Sequence, residues 1–236
     1  MSRQVLLFDI DGTLLSCGKV WIEAYLGAVR EAFPGWDLPN VNFGGKTDYW
    51  IARTLITAKL GDVEPEELER LSGQIVDRYI AQVTAQQNDR VLKEVRVLPG
   101  VPELLERLSQ EKDLSLTVLT GNIRQGAELK LAAAALTPFF DLSLGAFGCD
   151  HWERSQLPNF ALDRAISRLG RQVQGCELVI LGDTVHDMTC GRHLGVKTIG
   201  VGTGHPEGRE ALLAERPDHF FEDFSDAEAV LRAIRS

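Results

Sequence analysis

The sequence predicts a doubly wound parallel α/β sheet with a block of helices inserted after its first strand. Three observations predict it. Short, largely apolar runs recur along the chain and end in polar residues, amphipathic stretches alternate with them, and one long stretch, 16–95, breaks the alternation with helical patterns alone. Strands that are apolar throughout belong in a sheet covered on both faces, and strands that alternate with helices build such a sheet from parallel neighbours.

The first strand, Val5 to Phe8, runs straight into Asp9-Ile10-Asp11-Gly12-Thr13. A second apolar run, Leu114 to Leu119, ends in Thr120-Gly121-Asn122, and a third, Leu178 to Leu181, ends in Gly182-Asp183. Val196 to Val201 predicts a fourth strand, and a short run near Phe220-Phe221 a fifth. After the turn signal Pro99-Gly100, apolar residues at 101, 104, 105 and 108 predict a helix. Further helices are expected near 124–135, 159–169, 186–194, 207–215 and 226–235. Within the insertion the patterns fall near 21–33, 47–60 and 64–85. The last opens Glu64-Pro65-Glu66-Glu67, with proline and acids in its first turn. The expected division is a core of 1–15 and 96–236 and an all-helical segment of 16–95.

Composition sets the class. Of 236 residues, 44% are hydrophobic and 25% charged, enough apolar material for a real core. Lys and Arg total 25 against 34 Asp and Glu, a net charge of −9. That average field repels a duplex or an anionic membrane, so neither is the expected partner, while a small anionic substrate at a locally positive site remains compatible. The four cysteines, Cys17, Cys149, Cys176 and Cys190, are scattered with no CxxC pair, as expected of reduced thiols. Cys190 and His193 are spaced like half a zinc site but lack a second pair. Val5 to Phe8 is too short for a signal peptide, and no run approaches the roughly 20 apolar residues of a membrane span. The cytoplasm is the expected location.

Ligands of open α/β sheets bind outside the carboxyl ends of the strands. Three strand ends here carry chemically capable groups. An isolated strand-end aspartate serves equally well as a helix N-cap or turn former. Asp9, Asp11, Thr120, Asp183 and Asp187 together, each after an apolar strand, point to one site. Four converging carboxylates repel one another, and a hard divalent cation relieves the repulsion. An oxygen-only ligand set without His or Cys favours Mg²⁺. Because Mg²⁺ commonly shares its shell with a phosphate, phosphoryl transfer on a small phosphorylated metabolite follows.

Asp9-Ile10-Asp11-Gly12-Thr13-Leu14-Leu15 resembles the first signature of the haloacid dehalogenase (HAD) superfamily, Thr120 its second, and Gly182-Asp183-Thr184-Val185-His186-Asp187 its fourth, in the family's order. The insertion resembles the family's helical C1 cap. The resemblance implies a Rossmann-like HAD core with an inserted all-α cap, similar to phosphoglycolate phosphatases. It further implies that Asp9 attacks phosphorus to form an aspartyl-phosphate, while Asp11 protonates the leaving oxygen and then activates water. Asp9, the backbone carbonyl of Asp11 and Asp183 would hold Mg²⁺, with Asp187 supporting the metal shell or orienting the basic residue. Thr120, with Gly121 and Asn122, would bind the phosphoryl oxygens beside the Gly12-Thr13 loop.

The third signature departs from the family pattern, which usually carries a lysine. The matching region reads His151-Trp152-Glu153-Arg154-Ser155-Gln156-Leu157-Pro158, and no lysine lies between Lys130 and Lys197. Arg154 is the expected cation, since arginine binds carboxylate and phosphate bidentately. Lys130 is the alternative, although Glu128-Leu129-Lys130-Leu131 in a predicted helix places it on a solvated face. Within the insertion, Phe43-Gly44-Gly45-Lys46-Thr47-Asp48 resembles the GxTD element of phosphoglycolate-phosphatase-like caps. Lys46 would then read a carboxylate or another polar group of the substrate. Equally, the segment reads as a helix start with Thr47 or Asp48 as N-cap.

Rival readings separate on particular residues. Gly45-Lys46-Thr47 mimics the end of a Walker A loop, but position 40 is Asn and no apolar strand precedes it. Gly200 to Gly204 fails the dinucleotide pattern because position 205 is His. Asp11 argues against a dehalogenase, and no lysine, Lys46 and Lys19 included, is singled out as the Schiff base phosphonate cleavage needs. A phosphosugar mutase shares the acid pair and stays open. A phospho-acceptor signalling module without turnover would use the same Asp, Thr and cation but needs no lid of some eighty residues. The expected function is a Mg²⁺-dependent phosphatase of a small phosphomonoester, phosphoglycolate-like first.

Overall fold

A computed structural model describes residues 4–85 and 92–236; residues 1–3 and 86–91, which the expected core and insertion include, lie outside the described residues. The chain enters through β1 (Gln4–Phe8) and reaches a two-residue strand, β2 (Leu15–Ser16). Three helices follow, α1 (Gly18–Ala32), α2 (Asp48–Leu60) and α3 (Pro65–Ala85), before β3 (Arg96–Val97). From there helix and strand alternate through α4 (Val101–Ser109), β4 (Leu114–Val118), α5 (Arg124–Ala133), α6 (Leu157–Leu169) and β5 (Leu178–Gly182). The remainder is α7 (Val185–Cys190), β6 (Lys197–Val201), α8 (Arg209–Ala214), β7 (His219–Phe221) and α9 (Ala227–Arg235).

Five strands form one parallel sheet in the order β4-β1-β5-β6-β7. The expected strands are all present, and β1 lies between the two others that end in polar groups. Alternation along the strands divides the core. Leu6, Phe8, Leu116, Val118, Val179 and Leu181 face one side, where Leu104, Leu105 and Leu108 of α4 and Val230 and Ile234 of α9 cover them. Val5, Leu7, Leu178 and Ile180 face the other, beneath Leu157, Ala161 and Ala165 of α6. Both faces are therefore sealed, and the polar members of β4, Ser115 and Thr117, are buried along with its apolar ones.

Helices α1–α3 pack on one another through their apolar stripes, with Trp21, Tyr25, Ile51, Leu55, Tyr79 and Val83 all buried. The rings of Tyr25 and Tyr79 approach to 5.0 Å between centroids. The chain passes into this helical layer and back along an antiparallel pair, Leu15 with Val97 and Ser16 with Arg96. The expected boundaries at 15/16 and 95/96 lie on that pair. Two residues per strand are too few for any periodicity, so the sequence did not announce it.

One expected helix is shorter. The stretch 186–194 gives α7 and then a separate 3₁₀ turn, Arg192–Leu194. The break falls at Gly191, where a Cβ would come within 2.9 Å of Ile180 and Val196, so the backbone is pressed against the sheet there.

Candidate active site

The turn after β1 is built on the Ile10 carbonyl, which accepts from the backbone N–H groups of Leu14 at 3.0 Å and Leu15 at 3.1 Å. Gly12 adopts φ 85°, and a Cβ there would lie 2.4 Å from an oxygen of Asp183. A side chain at 204 would meet the same carboxylate at 2.0 Å. Two glycines thus leave room for Asp183 at the centre, where Thr13 Oγ1 donates to its Oδ1 at 3.0 Å. Thr203, just past β6, donates to the Gly12 carbonyl at 2.7 Å and ties a fourth strand end into the site.

Asp9, Asp183 and Asp187 each offer an oxygen, and these oxygens lie within 4.8 Å of one another. Asp9 is 4% exposed, Asp187 is fully buried and Arg154 is 7% exposed. Arg154 Nη2 stands 3.2 Å from Asp9 Oδ1 and also donates to Asp187 Oδ1. Asp187 is held from the other side by the Thr184 N–H at 3.0 Å and hydroxyl at 2.6 Å, a capping box that opens α7. One guanidinium therefore bridges two buried carboxylates, from the residue expected to replace the family's lysine. Its Nε has no acceptor among the described residues.

Burial pushes the Asp9 carboxyl up to about 7, against the pull of Arg154 and with the push of Asp187 and Asp11. Burial and the charges of Asp9 and Asp187 likewise raise Asp183 well above the ordinary carboxylate range. The trio is short of positive charge even with Arg154 present. Its donors are all carboxylate oxygens, so the site fits a hard divalent cation such as Mg²⁺.

Asp11 belongs to a second cluster. Lys130 donates to its Oδ1 at 2.8 Å and its Oδ2 at 2.6 Å, and Asn122 Nδ2 donates to Oδ2 at 2.7 Å. Burial alone would raise Asp11, but Lys130, helped by hydrogen bonds from Asn122 and Cys17, outweighs it and holds the carboxyl below its ordinary value. The expectation of a solvated Lys130 is corrected here: the residue is 4% exposed. It lies seven residues after Ile123 and three after Ala127, both buried, which are the offsets of one helix stripe. That spacing was the available signal. Lys130 touches Asp11 rather than Asp9, so the position beside Asp9 belongs to Arg154.

Thr120 follows β4, fully buried. Its Oγ1 accepts from Asn122 Nδ2 at 2.8 Å and Asn122 N at 3.3 Å, and no acceptor takes its own proton among the described residues. That O–H is available to an anionic oxygen. Gly121 lies under the 46–48 segment of the helical layer: the Asp48 N–H donates to the Gly121 carbonyl at 2.9 Å, and the Ile123 N–H donates to Asp48 Oδ2 at 2.8 Å. Thr47 is the N-cap of α2, accepting from Trp50 N at 2.9 Å, and its hydroxyl donates to the Trp152 carbonyl. Gly45, at φ 69°, rests against Thr184 and His186. The helix-start reading of this segment describes Thr47, while Lys46 lines the cavity with its ammonium 4.1 Å from the Trp50 ring centre.

A cavity of about 550 Å³ joins both clusters. Its sheet side carries Asp9, Asp11, Thr120, Arg154 and Asp183, and its helical side Trp21, Tyr25, Phe43, Ile51 and Tyr79. Trp21, Tyr25 and Tyr79 went unnoticed as cavity residues in the sequence because a stripe of such residues reads as core.

Residues 6–201 match the family model described as haloacid dehalogenase-like hydrolase. The chain belongs to that family. Among curated relatives, a pyrophosphatase PpaX from Anoxybacillus flavithermus is 26% identical over 98% of this chain and 98% of its own. A probable phosphatase, IndB, from Dickeya dadantii is 30% identical over 98% of this chain and 95% of its own. A solved hydrolase from Pseudomonas syringae superimposes with a TM-score of 0.69 at 22% identity, covering 99% of this chain and 100% of that one. A predicted phosphoglycolate phosphatase from Haemophilus somnus gives 0.67 at 17%, with 98% of each chain covered. The α/β fold is thus shared end to end with haloacid dehalogenase-like enzymes. No described helix is long and apolar enough to cross a membrane.

Proposed function

We propose that this haloacid dehalogenase-like hydrolase is a Mg²⁺-dependent phosphatase of small phosphomonoesters, with 1–15 and 96–236 as catalytic core and 16–95 as lid. The carrying observation is the pair Arg154–Asp9, in which one buried guanidinium braces a carboxylate beside Asp183 and Asp187 at the floor of the cavity. Relatives named as phosphatases and pyrophosphatases support phosphoryl chemistry.

Asp9, Asp183 and the backbone carbonyl of Asp11 would hold Mg²⁺, with Asp187 bracing Arg154 and the shell. When bound, the ion would offset the negative charge of the carboxylates and the phosphoryl group. Asp9 attacks phosphorus, the ester P–O bond breaks, and the departing oxygen takes a proton from Asp11. Water then attacks the aspartyl-phosphate and gives its proton to Asp11; orthophosphate leaves and the Asp9 carboxylate is restored. Before an ester binds, Lys130 and Asn122 hold Asp11 ionised, the form this second step requires; the acid form of the first step would be favoured by the negative charge of a bound phosphate ester. Thr120, Gly121 and Asn122 cradle the phosphoryl oxygens, with Gly12 and Thr13 shaping the loop beneath. The helical layer excludes bulk water while Asp9 acts.

Phosphoglycolate is the leading substrate. Lys46 lines the cavity without a carboxylate partner among the described residues, so its charge is available to a second anionic group. The test is Mg²⁺-dependent phosphate release from a panel of small phosphomonoesters, wild type beside Asp9→Asn. Activity abolished by EDTA and by Asp9→Asn is expected. Full activity in Asp9→Asn would overturn the assignment, and phosphoryl transfer between hydroxyls of one sugar would make the enzyme a mutase. A long-lived phospho-Asp9 without turnover would make it a signalling module.

A further inference from the structure

We propose that Lys130 is a positioning residue: with Asn122 it fixes the Asp11 carboxylate at the cavity wall, and through Trp21 it ties that carboxylate to helix α1. The inference rests on the phosphatase reading for the role of Asp11 as proton carrier.

A buried ammonium is costly unless its protons are all taken. Lys130 has three, and three acceptors stand around it: Asp11 Oδ1 at 2.8 Å, Asp11 Oδ2 at 2.6 Å and Asn122 Oδ1 at 2.7 Å. Asn122 closes the ring, since its Nδ2 donates to Asp11 Oδ2 at 2.7 Å and to Thr120 Oγ1 at 2.8 Å. The amide has one orientation that satisfies all of these bonds, oxygen toward the ammonium and nitrogen toward the acceptors. Both Asp11 oxygens are thereby anchored to α5 and to the loop after β4. The Arg154 cluster, whose carboxylates are Asp9 and Asp187, has no member in this ring. The two buried cations divide the work: Arg154 braces the nucleophile, and Lys130 places the acid.

The Trp21 ring covers Lys130, its centre 4.7 Å from Nζ. Trp21 lies on α1, in the helical layer, whereas Lys130 lies on α5, beside the sheet. Lifting α1 would uncover the ammonium to water and loosen its hold on Asp11. The orientation of the acid is thus linked to closure of the helices over the cavity.

The test pairs Lys130→Met, which keeps the volume and removes the charge, with Asp11→Asn. Lys130→Met is expected to lower kcat on an alkyl phosphate, whose leaving oxygen needs a proton, by about 100-fold or more. The first-turnover burst from p-nitrophenyl phosphate, whose leaving group departs without help, should change by only a few-fold. Because Lys130 acts through Asp11, the double variant should be no slower than Asp11→Asn alone. Equal losses on both esters, or additive losses in the double variant, would overturn the proposal. A crystal structure of Lys130→Met decides the matter without turnover: an Asp11 carboxylate swung away from Asn122 supports it, and an unmoved carboxylate overturns it. If the wild type hydrolyses neither ester, the phosphatase reading fails, and the crystal structure still decides whether Lys130 positions Asp11.

Discussion

Gly121 and Lys46 meet backbone to backbone: a Cβ at 121 would lie 2.0 Å from the Lys46 carbonyl oxygen. The loop after β4 and the start of α2 therefore touch with no side chain between them. Gly148 repeats the pattern, since a Cβ there would lie 2.1 Å from the Gly121 carbonyl oxygen. Three segments are stacked main chain on main chain at one side of the cavity.

Gly121→Ala should separate them. The atom in the way is backbone, so it cannot swing aside, and the Asp48 N–H bond to the Gly121 carbonyl would be strained. A loss of about 1–3 kcal/mol in stability is expected, together with a fall in kcat/KM. Urea unfolding and steady-state kinetics read the two effects. A variant matching wild type in both would show that the segments yield freely.

Asp48→Asn should stabilise the protein at neutral pH. Burial pushes the Asp48 carboxyl from its ordinary 3.8 up to about 6, against the Ile123 N–H and Lys130. The folded value lies above the unfolded one, so ionisation disfavours folding. That cost is absent below about pH 4, grows between about 4 and 6, and is complete above. Asparagine keeps an oxygen for the Ile123 N–H and carries no charge. It should gain on the order of 2–3 kcal/mol at pH 7.5 and nothing at pH 4. Urea midpoints at both pH values check this.

Metal binding should release protons. Asp9, held at about 7 by burial, is partly protonated near neutrality without a cation, and burial with the charges of Asp9 and Asp187 raises Asp183 above its ordinary range as well. Bound Mg²⁺ requires their ionised form, so its affinity rises with pH. Titration calorimetry at pH 6.5 in buffers of different ionisation enthalpy should report net proton release. Asp183→Asn should lose most of both the heat and the protons.

Arg154→Met should strand two buried carboxylates. Removing one partner of a buried pair costs about 3–5 kcal/mol. Thermal melts should show that loss together with a collapse of activity. Added Mg²⁺ should recover part of the melting temperature, because it supplies charge to the same oxygens.

The sheet was legible because β1 and β5, buried on both faces, are continuous apolar runs, and the other strands are largely apolar. Asp9, Thr120 and Asp183 were legible because each ends one of those runs. Arg154 was legible only by position, from the absence of a lysine. Lys130 was misread because a charge in a helical pattern was assigned to the solvated face; its offsets from Ile123 and Ala127 place it on the buried one. Its partner Asn122 is adjacent in space and distant in meaning, since nothing local says that an amide will orient a carboxylate 111 positions earlier. The β2–β3 pair and the wall of Trp21, Tyr25 and Tyr79 depend on contacts across the whole chain, which no window of sequence contains.

The pairing of Ser16 with Arg96 has a consequence for how such a protein changes over generations. Paired residues stand about 5 Å apart, so the chain enters the helical segment and leaves it at almost the same point. Everything in between can lengthen, shorten or be exchanged without shifting the register of any strand in the sheet. The floor of the cavity and its ceiling are therefore free to be inherited on separate terms, one held to its chemistry while the other is refitted to a new molecule.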